Sequence, residues 1–217
     1  SYALADGYPS AKIENAAGYF TLPTQYNVAV ALTQAIINYD KTSPDYLLQD
    51  LSKVYGYADP RTYALSSYVY VILPTGAADQ RMTTAKRQTL ADFLYYSVCT
   101  GQREIGPIGY SPLPINLVAA GFSQIGKIKT ANPAVDLTNR DVSTCGNPTF
   151  IAGQPTVNHL EQIAPQPPCC DRTGAGPCDA SQGTVNANPG GSTGTSGTGG
   201  SKGSGTTGAG SQGSSNS

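Results

Sequence analysis

Any chemistry in this 217-residue chain would have to come from few residues. His159 is the single histidine, and the cysteines are Cys99, Cys145, Cys169, Cys170 and Cys178. His159 could act as a general base, but no partner constellation accompanies it, so it reads as a solvated loop residue. Zinc would need cysteines and histidines at finger spacing, which this set does not supply. Asp45 with Asp50, or Asp59 with Arg61, could form charged sites; surface polar residues and turn caps are the simpler reading. Asp92 and Glu104 lack the spacing of an acid/base pair. Tyr68, Tyr70, Tyr95 and Tyr96 could stack on a sugar or a base, but they read better as core aromatics with hydroxyls at the rim. Two motifs match near the C-terminus: Gly199-Gly200-Ser201-Lys202-Gly203 has the form of a hydrolase nucleophile turn, and Gly203-Ser204-Gly205-Thr206-Thr207-Gly208 that of a dinucleotide-binding turn. Each needs a preceding strand and a following helix, and a Gly/Ser repeat provides neither. The chain is therefore read as a non-enzyme, with no catalytic residue, no metal ligand and no cofactor.

Composition narrows the partners. There are 13 basic and 14 acidic residues, for a net charge of −1. No basic stripe exists to release counterions from a phosphate backbone, so nucleic acid is not expected as a partner. No run of 18 apolar residues is present, so no membrane span is expected. The chain starts at Ser1 without an initiator Met or a signal peptide, which reads as a processed or truncated start. Cysteines set in Pro/Gly-rich sequence fit disulfides in an oxidising compartment.

The elements that would position these residues lie in the first 130. All fourteen tyrosines fall between Tyr2 and Tyr110. Short strands are expected at Ala11–Glu14 and Tyr19–Phe20. Leu22-Pro23-Thr24 opens a helix with Pro near its first position and an inner stripe of Val28, Leu32, Ala35 and Ile36. Ser43-Pro44 starts a second helix, carrying Leu47, Leu48, Leu51 and Val54 and stopped by Gly56. Residues 66–73 (Ser-Ser-Tyr-Val-Tyr-Val-Ile-Leu) are apolar and aromatic on both faces, the pattern of a strand buried on both sides of a sheet. Thr83 or Thr84 caps a third helix with the stripe Leu90, Phe93, Leu94 and Val98, ending near Gly101. Leu113-Pro114 starts a fourth, with Ile115, Val118, Phe122 and Ile125 inward and Gly126 as its stop. The order predicts an α/β fold, and an incomplete one, because a central strand needs neighbours on both edges. Cys99 ends the third helix. If 131–150 folds back, Cys145 can reach it, so a Cys99–Cys145 bridge is expected. A short loop closed by Cys170 and Cys178 would leave Cys169 as the spare thiol, since neighbouring cysteines bridge each other only under strain.

Residues 2 to about 128 resemble the C-terminal part of the phosphate-binding component of phosphate ABC transporters. The resemblance rests on Ser1-Tyr2-Ala3-Leu4-Ala5 running into Lys12-Ile13-Glu14-Asn15. It rests also on Tyr63-Ala64-Leu65 leading through 66–73 to Pro74, and on Leu90-Ala91-Asp92-Phe93-Leu94-Tyr95-Tyr96 continuing to Gly109-Tyr110-Ser111-Pro112-Leu113-Pro114. Cys145-Gly146-Asn147-Pro148-Thr149-Phe150 and Ala164-Pro165-Gln166-Pro167-Pro168 look like versions from high-GC Gram-positive bacteria. The family implies a two-lobed periplasmic-binding-protein-like (type II) fold that closes on a phosphate ion, with an ABC-transporter permease as partner. On that reading residues 1–62 finish lobe two and 63–130 return to lobe one.

The family's phosphate contacts come from N-terminal loops with Ser/Thr hydroxyls and an Asp, and from an Arg followed by a Ser-Gly-Thr turn opening a helix. Those motifs do not stand in this chain, so no ligand-binding residue is carried over. The expected organisation is a binding-protein-like segment at 1–130, a Pro-rich, Cys-containing irregular extension at 131–178, and a disordered Gly/Ser/Thr-rich linker at 179–217. A linker of that length has a root-mean-square span of roughly 35 Å, suited to a domain tethered outside a cell surface. The competing expectation is a degenerate binding-protein module with a structural or adhesive role.

Overall fold

The computed structural model describes residues 3, 6–151 and 153–175. Cys178, the expected linker 179–217 and both glycine-rich motifs lie outside the described residues, as do Ser1, Tyr2, Leu4 and Ala5 of the first resembling segment.

The chain opens with a hairpin, β1 (Ile13–Glu14) antiparallel to β2 (Phe20–Thr21). Gly18 turns it in the left-handed region, at φ 75°, where a side chain would be strained. Helix α1 (Gln25–Leu32) begins at Thr24, whose hydroxyl accepts from the Asn27 N–H at 3.2 Å. Pro23 thus precedes the cap and does not occupy the first helical position. The expected inner stripe fails at its C-terminal half, because the helix stops at Leu32. Gln34 and Ala35 tighten its end by bonding back three residues. The β-branched pair Ile36–Ile37 then forms β3, antiparallel to β4 (Gln49–Asp50). The buried residues of α1 are Ala29, Val30, Ala31 and Leu32.

The second expected helix is not formed. Residues 41–47 are turns. Asp40 accepts from the backbone and hydroxyl of Thr42, and Ser43 accepts from the Asp45 N–H. Such short polar side chains offer the backbone a local alternative to the helix. Leu47 has φ 68°, which no helix accommodates. Only α2 (Ser52–Tyr55) is helical, with Val54 buried and Gly56 at its C-cap.

Helix α3 (Thr84–Val98) is capped by Thr83. Its buried face is Arg87 and Ala91, with Leu94 and Val98 packed beside them, while Phe93 is 58% exposed. After the short α4 (Gln102–Ile105), helix α5 (Ile115–Ala131) follows Pro114. Gly126 does not stop it. A mid-helix glycine costs about 1 kcal/mol, and burial of Ile125 and Ile128 against Ala91 and Val135 outweighs that.

The 131–175 segment, expected to be irregular, carries elements that pack on the rest. Val135 joins the α3/α5 core, and Cys145 sits beside Cys99 and Val118. Strands β5 (Phe150–Ile151) and β6 (Gln154–Asn158) form a hairpin with a register shift. Helix α6 (His159–Ile163) packs on α1. All described residues belong to one unit, Ser1–Gly183.

Residues 66–73 depart furthest from expectation. The segment has no ladder partner among the described residues, where the sheets are three separate antiparallel pairs. Tyr68 and Leu73 pack inward, whereas Val69 is 89%, Val71 63% and Ile72 93% exposed. A strand gains burial only from neighbours, and none is supplied here.

Candidate functional site

The charged candidates act within the fold. Asp59 accepts from the Arg61 backbone and Nε at 2.9 Å each and from its Nη2 at 2.7 Å. The Arg61 Nη1 donates to the Glu161 carbonyl at 2.7 Å, tying the loop to α6. The pair is largely shielded, not a surface pair, and the Arg61 hydrogen bonds hold the Asp59 carboxyl below its ordinary range. Asp50 is exposed and accepts from the Ser52 N–H, as expected of a turn cap. Asp45 is an exposed turn residue. Asp92 pairs with Arg140 at 2.5 Å rather than with Glu104. His159 is not a solvated loop residue: it heads α6, half-buried, with its backbone N–H on the Thr149 carbonyl and Nδ1 buried without a hydrogen bond.

The best candidate for an anion is the N-terminus of α3, where Arg81, Lys86 and Arg87 cluster. Most of the donors described there are engaged, although the Arg87 Nη1 is buried without a hydrogen bond. Arg81 pairs with Asp79, Lys86 donates to the Arg81 carbonyl, and the Lys86 N–H is on the Thr83 hydroxyl. Arg87, almost fully buried, donates to the Met82 and Gly76 carbonyls and so straps down the 76–82 loop. Among the described residues no group of three or more His, Cys, Asp or Glu could hold a metal, and no helix is long and apolar enough to cross a membrane.

The tyrosines divide. Tyr95 is a rim aromatic, edge-on to Phe122 at 5.6 Å with its hydroxyl on Thr144 at 2.8 Å, and Tyr96 is exposed. Tyr68 and Tyr70 meet edge-on at 4.9 Å with hydroxyls 2.6 Å apart, and the Gln49 N–H donates to the Tyr70 hydroxyl. Burial, then the bond to Tyr70, raises the Tyr68 phenol above its ordinary range. These two stand on the wall of a groove of about 510 Å³, floored by Leu94 of α3 and by Leu117 and Gly121 of α5. The groove runs along the unpaired 68–73 segment. Individual tyrosines do not signal it in the sequence. The two-faced apolar pattern of 66–73 does, once the strand has no neighbour.

These features define a small helical unit with short antiparallel hairpins and one open apolar edge. The chain is 23% identical over 131 residues to the phosphate-binding protein PstS of Methanocaldococcus jannaschii, a match covering 59% of this chain and 33% of that protein. The chain thus spans about a third of the length of that curated relative. No family model matches the chain, and no solved structure matches it at a significant level. The similarity is that of a distant relative of a phosphate-binding protein.

Proposed function

We propose that this chain is a segment of an extracellular solute-binding protein that captures inorganic phosphate for an ABC-transporter permease. It acts by binding, without catalysis, and needs polypeptide beyond these residues to bind. The observation that carries the reading is the 131-residue similarity to a phosphate-binding protein, which leaves two thirds of that relative without a counterpart. The Cys99–Cys145 disulfide suits an oxidising, extracellular setting. At the start of α3, Arg81 and Lys86 are taken up within the fold, which suits a segment whose anion contacts come from elsewhere. The two-lobed fold follows as part of the same proposal, with 1–62 closing one lobe and 63–130 returning to the other.

Calorimetric titration with phosphate tests it. The 217-residue chain alone is expected to show no sub-millimolar binding, and the complete gene product to show it. Sub-millimolar affinity in the chain alone overturns the dependence on further polypeptide. Absence of binding in the complete product overturns the phosphate reading.

A further inference from the structure

A segment fastened at its two ends to different parts of a protein limits how far those parts can separate. Residues 131–175 are fastened in this way. Their first part is held on the 63–130 half. Cys145 is bridged to Cys99, the Asn147 Nδ2 donates to the Val98 carbonyl at 2.9 Å, and the Thr149 hydroxyl donates to the Leu113 carbonyl at 3.0 Å. Their last part is held on the 1–62 half. The Arg61 Nη1 donates to the Glu161 carbonyl at 2.7 Å, Lys12 pairs with Asp171, and the Thr173 N–H donates to the Gly18 carbonyl at 2.8 Å. The β5/β6 hairpin lies between the two anchorages, with β6 packed on α5. The halves also touch directly, through Ala31 and Leu32 of α1 and Leu117 of α5.

The anchorages differ in kind. The first is covalent, whereas the second is ionic and hydrogen-bonded. The Lys12 side chain is partly exposed, so its pair with Asp171 is open to screening by salt. Under separation the second anchorage yields and the first stays.

We propose that residues 131–175 form a clasp that holds the 1–62 and 63–130 halves together and slows release of the anion bound by the complete protein. Its releasable end is the Lys12–Asp171 latch. The inference rests on the reading above for the two lobes and for phosphate as the ligand. The physical argument is differential contact: the latch is made when the halves touch and broken when they part, so it favours the closed arrangement. A ligand enclosed between lobes leaves when they open, so a stronger latch means slower release.

The test uses the complete gene product. Lys12→Ala is expected to speed phosphate release about fivefold in stopped-flow, the effect of one partly exposed ion pair. The charge swap Lys12→Asp with Asp171→Lys is expected to restore the slow rate, which a general loss of stability would not predict. Spin labels on unnatural side chains at Lys41 and Thr89, both exposed positions on the two halves, are expected to move apart in Lys12→Ala without phosphate. If Lys12→Ala does not fold, the unaltered protein in about 1 M salt takes its place, because the latch is then screened. An unchanged label distance overturns the clasp, and so does an unchanged release rate. Absence of phosphate binding in the complete product sinks the phosphate reading alone, since the label distance still decides the clasp.

Discussion

Asn15 holds two loops from one nearly buried position. Its Oδ1 accepts from the Ala17 and Tyr19 N–H groups at 3.0 and 3.1 Å, and its Nδ2 donates to the Pro60 and Thr62 carbonyls at 2.9 Å each. Each such bond contributes about 1 kcal/mol net, and more is lost when a buried partner is left bare. Asn15→Ala is expected to lower stability by about 2–3 kcal/mol in urea unfolding. Asp59 supplies a pH signature. Its folded-state carboxyl titrates below the ordinary 3.8, chiefly because Arg61 hydrogen-bonds the charged form. A depressed acid contributes stability that is fully present above the unfolded value and is lost as pH falls through the folded one. The chain should therefore weaken as pH drops below about 4. Asp59→Asn should be less stable at neutral pH by about 1.5–3 kcal/mol and should flatten that acid slope, as read from urea midpoints at pH 3 and pH 6.

Helix α3 and the 131–175 segment are coupled through the Cys99–Cys145 disulfide, with Cα atoms 4.9 Å apart and a sequence separation of 46. Asn147 adds to the clip by donating to the Val98 carbonyl at 2.9 Å. Closing a loop of that size restricts the unfolded chain by about 4 kcal/mol. Replacing both cysteines by serine should cost up to that much, read as a lower thermal midpoint. This bridge was readable in the sequence because Cys99 ends a helix whose cap, Thr83, and length were also readable. Cys170 is likewise disulfide-bonded, but its expected partner Cys178 lies outside the described residues, and Cys169 lies exposed beside it. The 43–54 helix was misread because apolar spacing alone ignores what Asp40, Ser43 and a left-handed Leu47 do to the backbone. Phe93 was misread as inward, and Arg87 was missed, because a buried arginine satisfied by loop carbonyls carries no apolar signal. The groove was half-readable: the apolar run at 66–73 was plain, but which of its faces finds cover depends on tertiary packing that a local pattern does not carry.

Truncation after residue 130 removes Val135 from the α3/α5 core and Cys145 from its bridge. Residues 1–130 alone are therefore expected to unfold without a sharp thermal transition; a cooperative monomer would show instead that this unit is self-sufficient. The whole chain exposes Val69, Val71 and Ile72, and burial of each would contribute about 1.5–3 kcal/mol. It should associate at micromolar concentration or bind hydrophobic dyes, and Val69→Lys with Ile72→Lys should relieve this without moving the thermal midpoint, as light scattering and calorimetry would record. A different property follows from how the C-terminal end of the described fold is fastened. Lys12 grips both Asp171 carboxylate oxygens at 2.5 and 2.6 Å, the Thr173 N–H is on the Gly18 carbonyl, and the Thr173 hydroxyl is on Glu14. A pull applied beyond residue 175 loads this latch in series with the hairpin, then peels the chain back to Cys145. There the tension passes through sulfur to Cys99, and the intervening loop bears none of it. About 160 Å of contour, 46 residues at full extension, stays hidden from the force until the bond is reduced.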